Sequence, residues 1–480
     1  MQSQILRRFI LIFILFASGC AKHVPQTVTS VPVQRDRLTE LQTQLDHLFG
    51  NADFNNAFWG VAVQSVNSGE MLYQQNAGKL LMPASNMKIV TAAAALKILG
   101  PDFVYETKIS AQNPIENGKL AGDLVVTGNG DPTLAPEQLQ SWAAQLKQSG
   151  LQEIDGDLVG DDSAFEQDRL GFGWSWDDLA YYYATETSAL QFAENAITVT
   201  LTANPDGTIA VLKEPQTSYI QVNQTVQVQS GTEPTVHWTY KPETKTIYAT
   251  GTLPPDGKDY GGFAIDDPAA YLVQCFKEAL EANGIVVHGT ARSSHQKISA
   301  GSLLIDQKSP PLTDMLRVLL KRSQNLYAET LLKTLGNGKT EDGIQAAQAA
   351  LNTLGVSENS LIMKDGSGLS RYNYVTPLAL VTCLRKLYQE DSSAVFYNAL
   401  PIAGVDGTLK SRMKQTSAEN NVRAKTGSIE NVRALSGYVR TKDDELLVFS
   451  ILANNYNVSA DSVNAIQDQA AELLANFSRK

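Results

Sequence analysis

One uninterrupted apolar helix, opened by a serine and a lysine, most strongly constrains how this chain can fold. Residues 82–96 are Ala-rich, and no Gly or Pro follows Pro83 until Gly100, so the segment is strongly helix-forming. Ser85 and Lys88 lie three residues apart and share a helix face. Free backbone N–H groups in the first helical turn favour negative charge there. A serine beside a lysine in this position is one form of activated nucleophile.

The spacing alone is not specific. The same Ser-x-x-Lys pattern recurs at residues 294–297 and 411–414. The alternative for Ser85 and Lys88 is therefore a helix cap and a solvated lysine, unless other parts of the chain add to the pattern.

The chain starts with a segment that does not belong to the fold. Two arginines precede the apolar run 9–16, and small residues lead to Cys20. This order predicts an export signal over residues 1–20, with an apolar run too short to cross a bilayer. The Gly-Cys ending resembles a bacterial lipobox and predicts lipidation of Cys20, whereas ordinary cleavage nearby would leave a soluble product. The polar residues 21–36 are predicted to be a tether.

Charge and composition narrow the classes of partner. The net charge of −11 argues against nucleic acid, because phosphate binding needs a basic surface. Cys275 and Cys383 lie in helical patterns and are predicted to be buried thiols. The five histidines show no metal-ligand spacing, so we predict no metal site and no cofactor. The sequence leaves the oligomeric state open, and any membrane contact would pass through a lipid anchor on Cys20.

The order of elements predicts a split domain. A β-hairpin over 58–73 precedes the serine helix, and a second hairpin (432–439 and 445–452) and an amphipathic helix (459–477) close the chain. Short alternating strands dominate the middle, with helices at 136–149 and 268–283, and helical patterns return at 312–335 and 343–354.

We therefore predict an α/β (α+β) protein whose catalytic domain is interrupted by a long β-rich insertion. The predicted division is a catalytic domain of 37–102 and 300–480, an inserted domain II of 103–188 and 255–299, and an inserted domain III of 189–254.

Two later motifs complete a chemical pattern. Ser323 and Asn325 place a hydroxyl and an amide two residues apart, and Lys425-Thr426-Gly427 leads into a strand. Gly427 is predicted to let a substrate backbone approach closely. Ser-x-x-Lys, Ser-x-Asn and Lys-Thr-Gly in this order form the motif set of class A β-lactamases and penicillin-binding proteins.

Nearly the whole mature chain resembles a known family. It is similar to penicillin-binding proteins of the D-alanyl-D-alanine carboxypeptidase/endopeptidase family, the type-4, low-molecular-mass class C. The segments that carry the resemblance are 83–88, 128–134, 321–329, 365–371, 401–409 and 424–428. The resemblance implies a penicillin-recognising serine transpeptidase-like domain, an antiparallel sheet flanked by helices, with a long insertion. Gln324 departs from the pattern, because many members have Asp or Asn there.

The resemblance also implies an acyl-enzyme reaction on peptidoglycan stem peptides, with β-lactams as covalent inhibitors. Ser85 would attack a D-Ala-D-Xaa carbonyl, and Lys88 would take its proton, with a pKa lowered by burial and by Lys425. Ser323 would pass a proton to the leaving amine. Asn325 would orient Lys88 and the substrate amide.

Substrate-binding roles follow from the same resemblance. The backbone N–H groups of Ser85 and Ser428 would hold the oxyanion, and Lys425 and Thr426 would bind the terminal carboxylate. Arg371 and Asp161 would contact the peptide stem, Asp161 near the amine of a diaminopimelate side chain. The alternatives are a surface arginine and a turn aspartate.

Two rival functions remain at this point. A β-lactamase-like hydrolase would use the same motifs, but the separation of Ser85 and Ser323 is too long for a compact one. A non-catalytic peptidoglycan-binding protein could keep the fold, but it would not need all the reactive side chains.

Overall fold

The computed structural model describes residues 36–231, 233–299 and 301–480. The predicted export signal, Cys20 and the predicted tether up to residue 35 lie outside the described residues. Within the described ranges, no helix combines the length and the apolar character needed to cross a bilayer.

The described residues form ten α-helices. In chain order, α1 to α10 are Arg37–Phe49, Met87–Leu99, Pro136–Gln148, Pro268–Ala282, Leu312–Arg317, Asn325–Leu335, Thr340–Thr353, Pro377–Tyr388, Ser393–Ala399 and Ala460–Asn476. Two shorter segments matter for the site: a 3₁₀ turn at Ala84–Asn86 and a π-helical turn at Val318–Arg322.

The described strands number 24. In chain order, β1 to β24 are Phe58–Ser65, Met71–Gln75, Glu106–Ala111, Ile115–Glu116, Lys119–Leu120, Leu124–Gly128, Glu153–Ile154, Leu158–Asp161, Ala196–Ala203, Ile209–Glu214, Gln221–Gln224, Gln227–Val228, His237–Lys241, Thr246–Thr250, Thr252–Leu253, Lys258–Ala264, Val286–Val287, Ala291–Ser294, Ser302–Lys308, Leu361–Ile362, Tyr374–Val375, Arg423–Ile429, Val432–Arg440 and Leu446–Asn454.

A five-stranded sheet of order β2-β1-β24-β23-β22 joins the two ends of the chain. All its neighbouring strands are antiparallel, so both predicted hairpins are confirmed. Every residue of β24 is buried. Its side chains alternate between two cores, with Leu447 and Phe449 on one face and Val448 and Leu452 on the other. A strand covered on both faces can be apolar on both of them, which explains the apolar residues at 446–449 and 451–453, on either side of the buried Ser450.

Helices cover both faces of this sheet. Helices α1 and α10 pack together on one face, and α8 and the central α2 lie in the core of the other. All residues of α2 from Met87 to Leu96 are buried, because α6, α7 and α8 surround it. A helix enclosed by its neighbours is apolar all round. The predicted class, an antiparallel sheet flanked by helices with further β-rich units, is confirmed.

The residues between α2 and α5, called the middle region here, begin and end at neighbouring positions in the fold. Strand β3, at the start of the region, pairs antiparallel with β19 at its end, and Glu106 lies opposite Lys308. An insertion requires such adjacent crossings. The domain division given above stays a prediction, and β16 pairs with β9, so strand pairing links residues on both sides of the predicted boundary at 254–255.

The helical pattern at 312–335 is not one helix in the structure. The π-helical turn ends at Ser323, which has a left-handed φ of +60°, and α6 then starts at Asn325. The Gln324 side-chain oxygen accepts a hydrogen bond of 3.3 Å from the Leu326 backbone N–H and caps α6. Periodicity continues across the break because both helices bury the same core face. Cys275 and Cys383 are buried free thiols, as predicted.

Candidate active site

Ser85 lies in the 3₁₀ turn Ala84–Asn86, directly before α2 rather than within its first turn. Ala84 has a left-handed φ of +46°, which is unfavourable for a residue with a Cβ atom. The turn is held closely by its surroundings, since a Cβ on Gly368 would lie 1.9 Å from the Ala84 carbonyl oxygen. Ser85 lines a cleft of about 530 Å³.

Lys88 connects the serine to two other segments. Its Nζ atom donates to Ser85 Oγ at 2.8 Å, to Asn325 Oδ1 at 2.6 Å and to the Ser367 carbonyl oxygen at 2.7 Å. The side chain is fully buried. Asn325 and the Ser367 carbonyl can hold the two N–H groups of a neutral amine, and its lone pair then faces the Ser85 hydroxyl. This geometry suits proton transfer from Ser85.

Burial lowers the pKa of Lys88 to about 7, because the charged form is poorly solvated. The negative charges of Asp365 and Glu329 act in the opposite direction and raise it. An amine with a pKa near neutrality is a competent general base.

Lys425 lies behind Ser323. Its Nζ atom donates to Ser323 Oγ at 2.8 Å and to the Thr426 carbonyl oxygen at 2.7 Å, and the side chain is fully buried. Burial and the nearby Lys88 lower the pKa of Lys425 well below its usual value. The structure thus brings Lys425 to Ser323, and its predicted contact with a substrate carboxylate stays a prediction.

The strand residues after Lys425 include one that lines the cleft. Ser428 lines it, and Thr426 Oγ1 donates to Thr408 Oγ1 at 2.7 Å. A Cβ on Gly427 would lie 2.6 Å from the Pro83 carbonyl oxygen, so the missing side chain admits the chain's own backbone beside Ser85. The approach of a substrate backbone to Gly427 stays a prediction.

Glu329 is a buried acid to which the sequence assigned no role. Its carboxylate accepts hydrogen bonds from the backbone N–H groups of Gly366, at 3.1 Å, and Ser367, at 2.8 Å. Burial, together with the charge of Asp365, raises the pKa of Glu329. It holds the turn whose Ser367 carbonyl binds Lys88. The only available signal was a glutamate in a segment, 321–329, already singled out by resemblance.

Asp365 organises the same turn. Its carboxylate accepts from the Gly368 and Ser370 backbone N–H groups, both at 2.7 Å, and from Trp174 Nε1 at 2.9 Å. Asp365 is fully buried. Trp174 belongs to the middle region, so this hydrogen bond fixes a long loop of that region to the turn that contains Asp365.

Arg371 and Asp161 have different positions. Arg371 lines the cleft, and its guanidinium donates to the Glu430 carbonyl oxygen at 3.2 Å. Asp161 does not line it. Its buried carboxylate accepts from the backbone N–H groups of Ser163, at 3.0 Å, and Ile298, at 2.8 Å, so the structure does not bring Asp161 to Ser85.

The loop that precedes β9 supplies a wall of the cleft that the sequence did not predict. Ser175, Asp177, Asp178, Tyr182 and Tyr183 line it. The Trp-Ser-Trp-Asp-Asp run at 174–178 was the available signal, since its aromatic and acidic residues follow neither helical nor strand periodicity. Its two carboxylates give the cleft sites for a cationic group.

A surface cluster lies outside the cleft. Glu153, Asp155 and His288 bring one possible ligand atom each to within 4.8 Å of one another, where the histidine spacing predicted no metal site. The Lys119 ammonium lies 2.8 Å from Asp155 and offsets part of the negative charge of the two carboxylates. The other two Ser-x-x-Lys serines do not line the cleft, and Ser294 Oγ donates to the Gln296 carbonyl oxygen instead.

Comparison with known proteins gives a consistent result. The family model of the D-Ala-D-Ala carboxypeptidase 3 (S13) family matches residues 41–477. The chain is 36% identical over 463 residues to a D-alanyl-D-alanine carboxypeptidase of Actinomadura sp. (strain R39), covering 92% of this chain and 85% of the relative. It is 31% identical over 415 residues to D-alanyl-D-alanine carboxypeptidase DacB of Haemophilus influenzae, covering 83% and 85% of the two chains.

A solved structure agrees with these relatives. The crystal structure of penicillin binding protein 4 (dacB) from Haemophilus influenzae superposes with a TM-score of 0.80 at 28% identity, covering 90% of this chain and 99% of that one. The same protein complexed with a novel β-lactam gives a TM-score of 0.73 at 27% identity, covering 89% and 98%.

Proposed function

This chain belongs to the D-Ala-D-Ala carboxypeptidase 3 (S13) family, and from that premise we propose that it is a serine D-Ala-D-Ala carboxypeptidase and D,D-endopeptidase. It acts on peptidoglycan stem peptides through an acyl-enzyme, and β-lactams inhibit it covalently. The β-lactamase and the non-catalytic protein are not favoured, since relatives with 36% and 31% identity to this chain are carboxypeptidases.

One observation carries the assignment of residues. Ser85 Oγ lies 2.8 Å from the amine of Lys88, a buried lysine whose pKa is lowered to about 7. A buried amine with no reactive partner would only cost stability. Its contact with a cleft hydroxyl supports Ser85 as the nucleophile and Lys88 as the base.

Acylation follows from this pair. Ser85 Oγ attacks the carbonyl carbon of the D-Ala-D-Xaa bond, and its proton moves to Lys88 Nζ. Negative charge develops on the carbonyl oxygen, where the backbone N–H groups of Ser85 and Ser428 stabilise it. The ester bond to Ser85 forms as the bond to the departing D-amino acid breaks.

The leaving amine needs a proton. Ser323 Oγ accepts a hydrogen bond from Lys425 Nζ at 2.8 Å, which supports Ser323 as the group that passes a proton to the amine. Asn325 orients Lys88 through its side-chain oxygen. Water then hydrolyses the ester and restores Ser85, while a β-lactam leaves a slowly hydrolysed ester.

Substrate contacts extend from this centre. Lys425, Thr426 and Gly427 form the strand side of the site, and Thr426 is the residue of that run that offers a hydroxyl to a terminal carboxylate. Arg371 suits a carboxylate of the stem. The role first assigned to Asp161, contact with a side-chain amine, fits Asp177 and Asp178 better, because both line the cleft.

The direct test is labelling with a fluorescent penicillin. The wild-type protein should form one covalent adduct, Ser85→Ala should form none, and Ser294→Ala and Ser411→Ala should label normally. Peptide mapping of the adduct should find the label on Ser85. Labelling that persists in Ser85→Ala would overturn the assignment, and failure to release D-Ala from a pentapeptide would overturn the proposed activity.

A second experiment addresses the β-lactamase. A chromogenic cephalosporin should be consumed in a burst of about one equivalent, followed by slow turnover. Sustained rapid turnover would favour the β-lactamase instead.

The localisation of the protein is also a proposal. We infer export to the periplasm with a lipid anchor at Cys20, which rests on the 1–20 pattern. Mass spectrometry of the protein from its native envelope should find a diacylglyceryl-modified Cys20 at the mature N-terminus, absent from Cys20→Ser. An unmodified N-terminus beyond residue 20 would instead indicate ordinary cleavage.

A further inference from the structure

Two left-handed turns from distant parts of the chain meet at one carboxylate. Ser323 has a φ of +60°, and Ala193, Glu194 and Asn195 have consecutive φ values of +48°, +56° and +54°. Residues with side chains rarely adopt this conformation, and a run of three is costly. Strain of this kind persists only where surrounding contacts hold it, and it concentrates at functional sites.

The turn at 193–195 is held from several sides. The Asn195 side-chain oxygen accepts from the Phe192 N–H at 3.0 Å, and its amide donates to the Glu186 carbonyl oxygen at 2.8 Å. The Ala193 N–H donates to the Leu134 carbonyl oxygen at 2.8 Å. Asn195 is fully buried. These bonds fix the backbone that presents Glu194.

Glu194 contacts both residues that flank Ser323. The Arg322 guanidinium donates to its two carboxylate oxygens at 2.7 and 2.9 Å, and Gln324 Nε2 donates at 2.5 Å. A further contact between the two parts of the chain does not involve Glu194: Asn325 Nδ2 donates a hydrogen bond to the Tyr183 carbonyl oxygen at 2.7 Å. The middle region therefore holds residues 322, 324 and 325, around a serine that itself bonds Lys425.

The two contacts of Glu194, with Arg322 and with Gln324, differ in strength. The Arg322 side chain is 60% exposed, and exposed ion pairs contribute little. Gln324 is only 8% exposed, and a buried hydrogen bond to a charged group is stronger. The Gln324 contact should therefore dominate.

This contact gives Gln324 two roles at the position where many family members have Asp or Asn. Gln324 caps α6 with its side-chain oxygen and donates its amide to Glu194. A carboxylate could cap the helix, but it would place a second negative charge against Glu194. Gln324 and Glu194 thus form a matched donor and acceptor.

We propose that Glu194 is a positioning residue of the reaction: its carboxylate, through Gln324 and Arg322, holds the left-handed Ser323 turn that aligns Ser323 with Lys425 and Asn325 with Lys88. The proposal rests on the function proposed above. It makes the middle region part of the catalytic apparatus, although no residue of the 193–195 turn lines the cleft.

Three variants test it: Glu194→Ala, Gln324→Glu and the isosteric exchange Glu194→Gln with Gln324→Glu. Glu194→Ala should lower the rate constant of penicillin acylation by about tenfold, and Gln324→Glu should lower it at least as much. The exchange reverses donor and acceptor and should restore the rate to within about threefold of wild type. In D-Ala release, kcat should fall and KM should change little.

Glu153→Ala, which removes an ion-paired glutamate of the same region, is the matched control and should acylate like wild type. A melting curve of each variant separates misfolding from misalignment. The proposal would be overturned if penicillin acylated Glu194→Ala at the wild-type rate, or if it acylated the exchange variant as slowly as Gln324→Glu. Penicillin labelling of Ser85 in the wild-type protein tests the proposed function separately, so its result does not depend on these variants.

Discussion

The amine nitrogen of Lys88 lies 2.6 Å from the side-chain oxygen of Asn325, although 237 positions separate them in sequence. The same amine contacts Ser85 Oγ at 2.8 Å and the Ser367 carbonyl oxygen at 2.7 Å. One buried lysine thus joins three segments, and its protonation state should govern the reaction.

Acylation should depend on pH through Lys88. The base must be neutral, and its pKa is lowered to about 7, so the rate constant should rise about tenfold per pH unit below pH 7 and level off above it. Stopped-flow acylation by a fluorescent penicillin between pH 5 and 9 measures this profile. A rate that is flat over this range, or that still rises steeply at pH 9, would exclude Lys88 as a base with that pKa.

Glu329→Gln should move that profile. The negative charge of Glu329 raises the pKa of Lys88, so its removal should lower that pKa and shift the midpoint to lower pH. The amide keeps the shape of the side chain beside the Gly366 and Ser367 N–H groups. Glu445→Gln, at an ion pair with Arg479 away from the cleft, should leave the midpoint in place. A shift to higher pH would contradict the electrostatic argument.

Gly427→Ala should damage the site by crowding. The new Cβ would lie 2.6 Å from the Pro83 carbonyl oxygen and 2.9 Å from the Ala434 Cβ, so β22 and the Ser85 turn must separate. Overpacking of this kind costs about 1–3 kcal/mol, and acylation should fall with it. Gly78→Ala is the control, because a Cβ there meets nothing within 4 Å. Unchanged acylation in Gly427→Ala would show that the contact is not needed.

Trp174→Phe should destabilise the protein. The change removes the indole N–H that donates to the buried Asp365 carboxylate at 2.9 Å. The Asp365 oxygen keeps its bond from the Ser370 N–H, so the loss is one hydrogen bond to a charged group, about 1.5–3 kcal/mol. Urea unfolding measures the loss. Trp176, two residues along, is 84% exposed, and Trp176→Phe should be neutral. Equal stability of the two variants would argue that the Trp174 bond adds nothing.

Local patterns in the sequence were sufficient for many elements. The alternation and turn residues at 58–73 predicted the β1–β2 hairpin, and the largely apolar segment 445–452 predicted β24, because strand periodicity is set by neighbouring residues. The apolar residues after Lys88 predicted α2 for the same reason. The pattern at 312–335 misled, since burial against one core continued across the break at Ser323, where a side-chain cap rather than hydrophobicity sets the helix start.

Residue roles were harder to predict than elements. Asp161 had the right chemistry for a substrate amine, but its carboxylate is occupied by backbone N–H groups. Asp177 and Asp178 reach the cleft because a long loop without periodicity folds back onto it. A sequence gives no direct measure of where such a loop ends in space.

The sequence by itself determined the reactive groups and their order: a serine and a lysine one helical turn apart, then Ser323 and Asn325, then Lys425. Only the tertiary structure decided which carbonyl, carboxylate and backbone N–H groups surround them, such as Ser367 and Glu329 beside Lys88 and Glu194 beside Gln324. The physical reason is range. Helix and strand patterns depend on residues a few positions apart, whereas burial, pKa shifts and hydrogen bonds across more than a hundred residues exist only once distant segments pack together.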